Sequence, residues 1–144
     1  MKNYFSSNFK LGVLGGGQLG RMLLTEAHKF DIYTVILDGA KNAPCANICD
    51  EFYQGNLMDY QTVYDFGKKV DLLTIEIEHV NIDALLQLEK EGLTVFPQPS
   101  VLQIIQHKGK QKDFFAANNI PTSNYHRFTS LEDLKKVAQP PFVW

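Results

Sequence analysis

Short apolar runs alternate with helical patterns over the first two thirds of the chain. The helical patterns begin near residues 18, 59 and 81, and the last of them ends at Gly92, a typical C′ glycine. The apolar runs have consecutive hydrophobic residues, as in strands buried on both faces. They cover residues 11–14, 33–37, 52–54, 72–75 and 94–96. This alternation predicts an α/β fold with a parallel sheet of four or five strands and helices on both faces.

The first helical pattern is amphipathic and runs from Gln18 to about Phe30. We expect its apolar face to pack on the sheet. The residues at helical spacing are Leu19, Met22, Leu23, Ala27 and Phe30. Asp59 is placed to cap the second helix.

The pattern changes after residue 98. Residues 101–105 and 108–118 are helical in pattern, Tyr125–Phe128 is strand-like, and Ser130 is placed to cap a helix over 131–137. Residues 140–144 are apolar and extended in pattern, and residues 1–9 have the composition of a polar tail. We therefore expect one domain over residues 1–98, followed over 99–144 by linker helices and the start of a second domain. We also expect the sequence to be a fragment of a longer protein.

Composition restricts the class of protein. The chain is 44% apolar with a net charge of −2, so a core can form and no polyanionic partner is indicated. No apolar run approaches the roughly 18 residues of a membrane span. We expect a soluble cytoplasmic protein that binds neither nucleic acid nor membrane. Cys45 and Cys49 have no second Cys/His pair nearby, which favours free thiols over a zinc site.

A glycine-rich loop lies between the first strand and the first helix. Gly15, Gly17 and Gly20 have the G-x-G-x-x-G spacing, which provides a tight turn, close backbone approach to a ligand, and close packing of helix on strand. Asp38 follows by about 20 residues, the distance at which a dehydrogenase binds the ribose. The loop thus indicates NAD(P) binding as one interpretation. Alternatively, Asp38-Gly39 only turns the chain.

Two carboxylates follow the fourth apolar run. Glu76 and Glu78 lie where that strand ends, and ligands of parallel sheets bind beyond the carboxyl ends of the strands. Hydroxyls of a ribose, or an amine, would suit such a pair. The alternative is a solvated strand end.

Other chemistry-bearing residues give weaker signals. Lys108, Lys110 and Lys112 form a charge run that is usually a solvated helix face. The four histidines are scattered, with only His79 next to the two glutamates. No nucleophile–base motif is visible.

Four stretches in combination resemble one family. They are Gly15-Gly-Gly-Gln-Leu-Gly-Arg-Met22, Thr74-Ile-Glu-Ile-Glu-His-Val80, Phe96-Pro97, and Lys108-x₃-Lys112 followed by Asn119-Ile-Pro-Thr122. Residues 10–144 resemble in order the N-terminal part of the N5-carboxyaminoimidazole ribonucleotide synthases. These are ATP-grasp enzymes of purine biosynthesis, also described as the ATPase subunit of phosphoribosylaminoimidazole carboxylase. Gln18 favours this family over the related formate-dependent transformylases, which have a Glu there.

The resemblance implies a reaction. ATP, bicarbonate and aminoimidazole ribonucleotide would give the N-carboxylated ribotide, ADP and phosphate, with Mg²⁺ on the nucleotide. The first domain would be the Rossmann-like pre-ATP-grasp domain, and family members often dimerise, so a homodimer is expected. The loop residues Gly17, Gln18 and Leu19, with Glu76 and Glu78, would contact the ribotide, and Lys108 would contact ATP. Most of the ATP and Mg²⁺ site would lie beyond this sequence.

Two alternatives stay open at this point. One is an NAD(P)-dependent oxidoreductase using the Gly15–Gly20 loop, although two anionic side chains are poorly placed beneath dinucleotide phosphates. The other is a regulatory ligand-binding module without chemistry.

Overall fold

The computed structural model describes residues 8–128 and 130–137, and it divides the chain into two compact units. The first unit ends at Gln106 and the second begins at His107. The predicted N-terminal tail, up to residue 7, and the extended segment at 140–144 lie outside the described residues.

Strands and helices alternate through the first unit, as predicted. The strands are β1 (Lys10–Leu14), β2 (Tyr33–Asp38), β3 (Glu51–Gln54), β4 (Leu72–Ile75) and β5 (Thr94–Phe96). The helices are α1 (Gln18–His28), α2 (Tyr60–Gly67), α3 (Ile82–Lys90) and α4 (Pro99–Ile105). The strands form one parallel sheet in the order β3-β2-β1-β4-β5.

Alternating strand residues point into two cores, one on each face of the sheet. On one face Leu14, Leu37 and Leu73 pack with buried residues of α2 and α3. On the other, Val13 and Ile36 pack with Leu24 of α1. The predicted parallel sheet with helices on both faces is therefore confirmed.

The predicted helix ends depend on local hydrogen bonds. The Asp59 carboxylate accepts from the Thr62 amide at 2.8 Å and caps α2. Asn81 caps α3 in the same way, accepting from the Ala84 amide at 2.9 Å. After α3 the chain turns at Gly92, whose φ is +95°.

The predicted buried face of α1 is wrong except at Ala27, which is buried. Leu19, Met22 and Phe30 are 63%, 59% and 71% exposed, and the buried residues of the helix are Gly20, Leu24 and Ala27. The reason is the closeness of the helix to the loop. A Cβ on Gly20 would lie only 3.0 Å from the Gly15 carbonyl oxygen. Small residues therefore face inward, and the large side chains before Leu24 point outward.

The second unit contains α5 (Lys108–Ala117) and α6 (Leu131–Val137). Ser130 caps α6 as predicted, its hydroxyl accepting from the Asp133 amide at 3.1 Å. Tyr125–Phe128 is not a strand, contrary to the prediction, because the described part of this unit contains no strand with which it could pair. Its side chains are instead tied to α5: Arg127 donates to Asp113 at 2.6 Å.

Candidate functional site

The order of the strands places two connections side by side. The chain passes from β1 to β2 on one side and reaches β4 on the other, so strand order reverses between β1 and β4. The glycine loop follows β1, and Glu76–His79 follows β4. Both therefore lie at the carboxyl edge of the sheet, at the switch point where ligands of such folds bind.

Gly15 makes the turn that leaves β1. Its φ is +99°, and its amide donates to the Leu37 carbonyl at 2.9 Å. A Cβ at this position would lie 2.6 Å from Oε2 of Glu76. The positive φ favours glycine here, and any side chain at this position would also have to displace the Glu76 carboxylate.

Asp38 holds the loop from β2. Its Oδ2 accepts from the Gly16 amide at 2.6 Å, and its Oδ1 accepts from the Ala40 amide at 2.7 Å. Both carboxylate oxygens are thus engaged with backbone of the same protein. This favours the turn interpretation of Asp38 over ribose binding.

Gly17, Gln18 and Leu19 form the start of α1. Gly17 is the N-cap residue and has no side chain to satisfy the first helical amides. Gln18 and Leu19 are exposed on the first turn. The three predicted loop residues are therefore accessible to a ligand at the carboxyl edge of the sheet.

Glu76 lies against the loop. Its amide donates to the Leu14 carbonyl at 2.8 Å, which continues the β1–β4 pairing by one residue. The carboxylate faces Gly15 and Gly17: a Cβ on Gly17 would lie 3.3 Å from Oε1. No described residue donates a hydrogen bond to these oxygens. Glu76 therefore places acceptors at the loop that receive no hydrogen bond from the described part of the chain.

Glu76 and Glu78 both follow the end of β4. β4 ends at Ile75, and residues 76–78 form bends rather than extended chain. Glu78 and His79 are exposed. The predicted strand-end position is therefore confirmed for both glutamates, but only Glu76 is packed on the glycines.

Cys45 contacts the backbone of the glycine loop. It is buried, its amide donates to the Gly16 carbonyl at 3.0 Å, and its Sγ lies 3.7 Å from the Gly17 carbonyl oxygen. Burial, with the charges of Cys49, Glu76 and Asp38 adding to it, raises the pKa of the Cys45 thiol to about 11. A thiol that is neutral at pH 7 acts here as packing, not as a nucleophile.

Gln106 is a contact that the sequence pattern did not reveal. It follows α4, and its side-chain Nε2 donates to the carbonyl oxygens of Glu78 at 2.7 Å and Val80 at 2.8 Å. Nothing in local periodicity indicates such a contact, because the partners lie 28 and 26 residues away in sequence.

Lys108 is the first residue of α5 in the second unit. Lys108 and Lys110 are exposed, whereas Lys112 donates to the Thr122 hydroxyl at 2.5 Å and to that of Ser123 at 3.0 Å. The lysine run is therefore not a uniform solvated face. Through these two hydrogen bonds, Lys112 connects α5 to the segment that follows it.

The described residues contain no group of three or more His, Cys, Asp or Glu that could hold a metal ion. Cys45 and Cys49 are free. In the same part of the chain, no helix has the length and apolar character needed to cross a membrane.

Comparison with known proteins gives consistent results. Residues 9–106 match the family model described as the ribonucleotide synthetase preATP-grasp domain. Phosphoribosylaminoimidazole carboxylase of Ogataea methanolica is 41% identical over 113 residues, which is 76% of this chain and 21% of that protein.

Two solved structures extend the likeness to the fold. N5-carboxyaminoimidazole ribonucleotide synthetase of Thermotoga maritima superimposes with a TM-score of 0.82 at 35% identity, covering 92% of this chain and 37% of that one. The Aspergillus clavatus synthase, solved with ADP and 5-aminoimidazole ribonucleotide, gives 0.74 at 35% identity over 83% of this chain and 32% of that one.

The chain thus spans about a fifth of that curated relative and about a third of these solved proteins. Nothing among these matches supports the oxidoreductase alternative. The fold, the matched family model and the similar structures agree with the resemblance found in the sequence, and the chain belongs to the family of ribonucleotide synthetase pre-ATP-grasp domains.

Proposed function

We propose that this chain supplies the ribotide-binding side of an N5-carboxyaminoimidazole ribonucleotide synthase. The whole enzyme carboxylates aminoimidazole ribonucleotide with bicarbonate at the expense of ATP, giving the N-carboxylated ribotide, ADP and phosphate. The observation that carries the proposal is the Glu76 carboxylate, which faces Gly15 and Gly17 of the glycine loop and accepts no hydrogen bond from another described residue. Its position at the switch point suits a ligand rich in donors.

The ligand's chemistry fits this arrangement. An aminoimidazole ribotide carries ribose hydroxyls and an exocyclic amine, all of which can donate hydrogen bonds to carboxylates. Glu76 and Glu78 accept from these groups, while Gly17, Gln18 and Leu19 line the approach to the loop. A dinucleotide places its pyrophosphate on the glycine loop itself, next to the Glu76 carboxylate, and this is electrostatically unfavourable. In this proposal the ribotide presents its hydroxyls and amine to the carboxylates and its phosphate elsewhere.

ATP is the second ligand in this proposal, with Lys108 contacting it. The described residues do not fit a Mg²⁺ site, because no cluster of carboxylates is present among them. By the family resemblance, we propose that neither the metal ligands nor the catalytic residues of the enzyme lie in this chain. Residues 1–98 correspond to the pre-ATP-grasp domain, and residues 99–144 to linker helices and the start of an ATP-grasp domain.

The partners in this proposal are small molecules. With a net charge of −2 the chain has no general attraction for nucleic acid or acidic membranes. A cytoplasmic homodimer is the assembly we propose, by likeness to the family.

The binding of aminoimidazole ribonucleotide tests the proposal. Isothermal titration calorimetry of this chain should show ribotide binding, and Glu78→Gln should weaken it because a charge-assisted hydrogen bond is lost. The loss should be about 1.5–3 kcal/mol, or roughly 10- to 150-fold in Kd.

Glu89→Gln is the matched control, since it removes an exposed carboxylate from α3 and should leave Kd unchanged. NADH should give no heat. Equal ribotide affinity in the Glu78→Gln variant would remove Glu78 from the site. Binding of NADH in place of the ribotide would instead revive the oxidoreductase interpretation.

A further inference from the structure

The chain between β4 and α3 is fixed at its two ends. We refer to residues 77–80 as the Glu78 loop. Before it, the Glu76 amide donates to Leu14 at 2.8 Å, and after it the Asn81 amide donates to the Leu57 carbonyl at 2.8 Å. Neither contact fixes the backbone at Glu78 itself.

Gln106 supplies that missing contact. The planar amide of a glutamine has two N–H donors, and here Nε2 reaches two carbonyls, those of Glu78 and Val80. A second bond crosses the same turn, because the Val80 amide donates to the Glu78 carbonyl at 3.0 Å. The Glu78 carbonyl thus receives one bond from its own loop and one from a different element.

The backbone of Gln106 is itself well fixed. Gln106 is the C-cap residue of α4, and its amide donates to the Leu102 carbonyl at 2.9 Å. Leu102 is buried in the core shared with α2 and α3. The side-chain amide is therefore presented to the loop from a rigid support.

We propose that Gln106 is a positioning residue for the ribotide site. By holding the Glu78 and Val80 carbonyls it fixes the backbone from which the Glu78 side chain projects, so that the carboxylate is ordered before the ligand arrives. A binding group held in place binds more tightly because less conformational entropy is lost on association. This inference rests on the proposed function, in which Glu78 contacts the ribotide.

Two substitutions at Gln106 separate hydrogen bonding from packing. Gln106→Ala removes the side chain, whereas Gln106→Glu keeps its shape but replaces both donors with acceptors that face two carbonyl oxygens. Both variants should fold, because Gln106 is exposed. We expect each to weaken ribotide binding about tenfold, because the Glu78 loop would then have to be ordered when the ligand binds. Gln103→Ala, an exposed glutamine on the same helix, is the matched control.

A double-mutant cycle identifies the route of the effect. Ribotide Kd is measured by calorimetry for the parent chain, Gln106→Ala, Glu78→Gln and the double variant. If Gln106 acts through Glu78, its substitution has little further effect once Glu78 is glutamine. An equal factor in both backgrounds would show a general structural effect and overturn the proposal, as would an unchanged Kd for Gln106→Glu.

The order of the loop gives a readout that needs no ligand. In Gln106→Ala, NMR relaxation should show lower backbone order confined to residues 77–80, with the sheet unchanged. If the parent chain binds no ribotide, the proposed function fails for this chain, and this measurement decides on Gln106 alone. Lower order in the Glu78 loop would support the positioning role, and unchanged order would overturn it.

Discussion

Gly15 and Gly92 share an unusual backbone conformation but differ in their surroundings. Their φ angles are +99° and +95°. A Cβ at Gly92 would meet nothing within 4 Å, whereas at Gly15 it would meet the Glu76 carboxylate at 2.6 Å. The two positions therefore separate the cost of the backbone angle from the cost of crowding the site.

Gly15→Ala should destabilise the protein more than Gly92→Ala does. We expect Gly92→Ala to cost about 1–3 kcal/mol, the penalty for a non-glycine residue in a sparsely populated conformation. Gly15→Ala should cost more, since Glu76 must also move. Urea unfolding of both variants measures the difference. Equal losses of unfolding free energy in the two variants would mean that the Glu76 side chain moves aside at no cost.

Single residues were predictable where their neighbours in sequence decide their role. The Asp59 cap, the Ser130 cap and the turn at Gly92 depend only on the residues next to them. Asp38 allowed two interpretations because its partner, the Gly16 amide, lies on a different strand connection. The hydrogen bonds of Gln106 could not be predicted, because the two carbonyl oxygens that accept them belong to a distant part of the sequence.

At the scale of elements, α2 and α3 are joined by one carboxylate. Glu91, just after α3, accepts from Lys68 at 2.7 Å, from Gln87 at 2.6 Å and from the Tyr64 hydroxyl at 3.0 Å. The Lys68 bond, followed by those of Gln87 and Tyr64, lowers the pKa of Glu91 to about 2. The link therefore requires the ionised carboxylate.

This link should be lost in acid. Because the pKa of Glu91 is lower in the folded state, its contribution is complete above the unfolded value of about 4.3 and declines as the pH falls towards 2. Glu91→Gln should destabilise the protein at pH 6, and the difference from the parent should shrink at pH 3.

Urea midpoints at the two pH values measure the effect, with Glu89→Gln as the control on the same helix. A difference between parent and Glu91→Gln that does not change with pH would mean that charge is not what joins the two helices.

The apolar pattern predicted the strands and helices of the first unit, but it did not always predict which face of an element is buried. In strand runs such as Val35–Leu37 the side chains on both faces of the sheet are buried. Their burial could therefore be predicted without knowing which face each side chain points to. The buried face of α1 was mispredicted because the close approach of the helix at Gly20 depends on the loop beneath it. Tyr125–Phe128 has the composition of a strand, but pairing requires a partner that composition does not specify.

At the scale of the whole molecule, the proposed function implies that this chain contains part of an active site but does not catalyse the reaction. This chain, given ATP, bicarbonate and aminoimidazole ribonucleotide, should release no phosphate in response to the ribotide. The reason is that the chain spans 37% of the Thermotoga maritima synthetase, and the family resemblance assigns most of the ATP and Mg²⁺ site to the remainder of such an enzyme. A phosphate-release assay tests this, with that synthetase as the positive control. Ribotide-dependent release would show that the catalytic groups are present here.

The central position of β1 governs how the protein assembles during synthesis. β1 is made first but lies third in the sheet, and its second neighbour, β4, pairs Leu11 with Leu72. At about 5–20 residues per second, a growing chain waits roughly 3–12 s between making these two strands. During that interval an apolar strand has one edge without a partner and can pair with another chain. We therefore expect β1 to be open to pairing with another chain while the protein is being synthesised, however stable the finished sheet is.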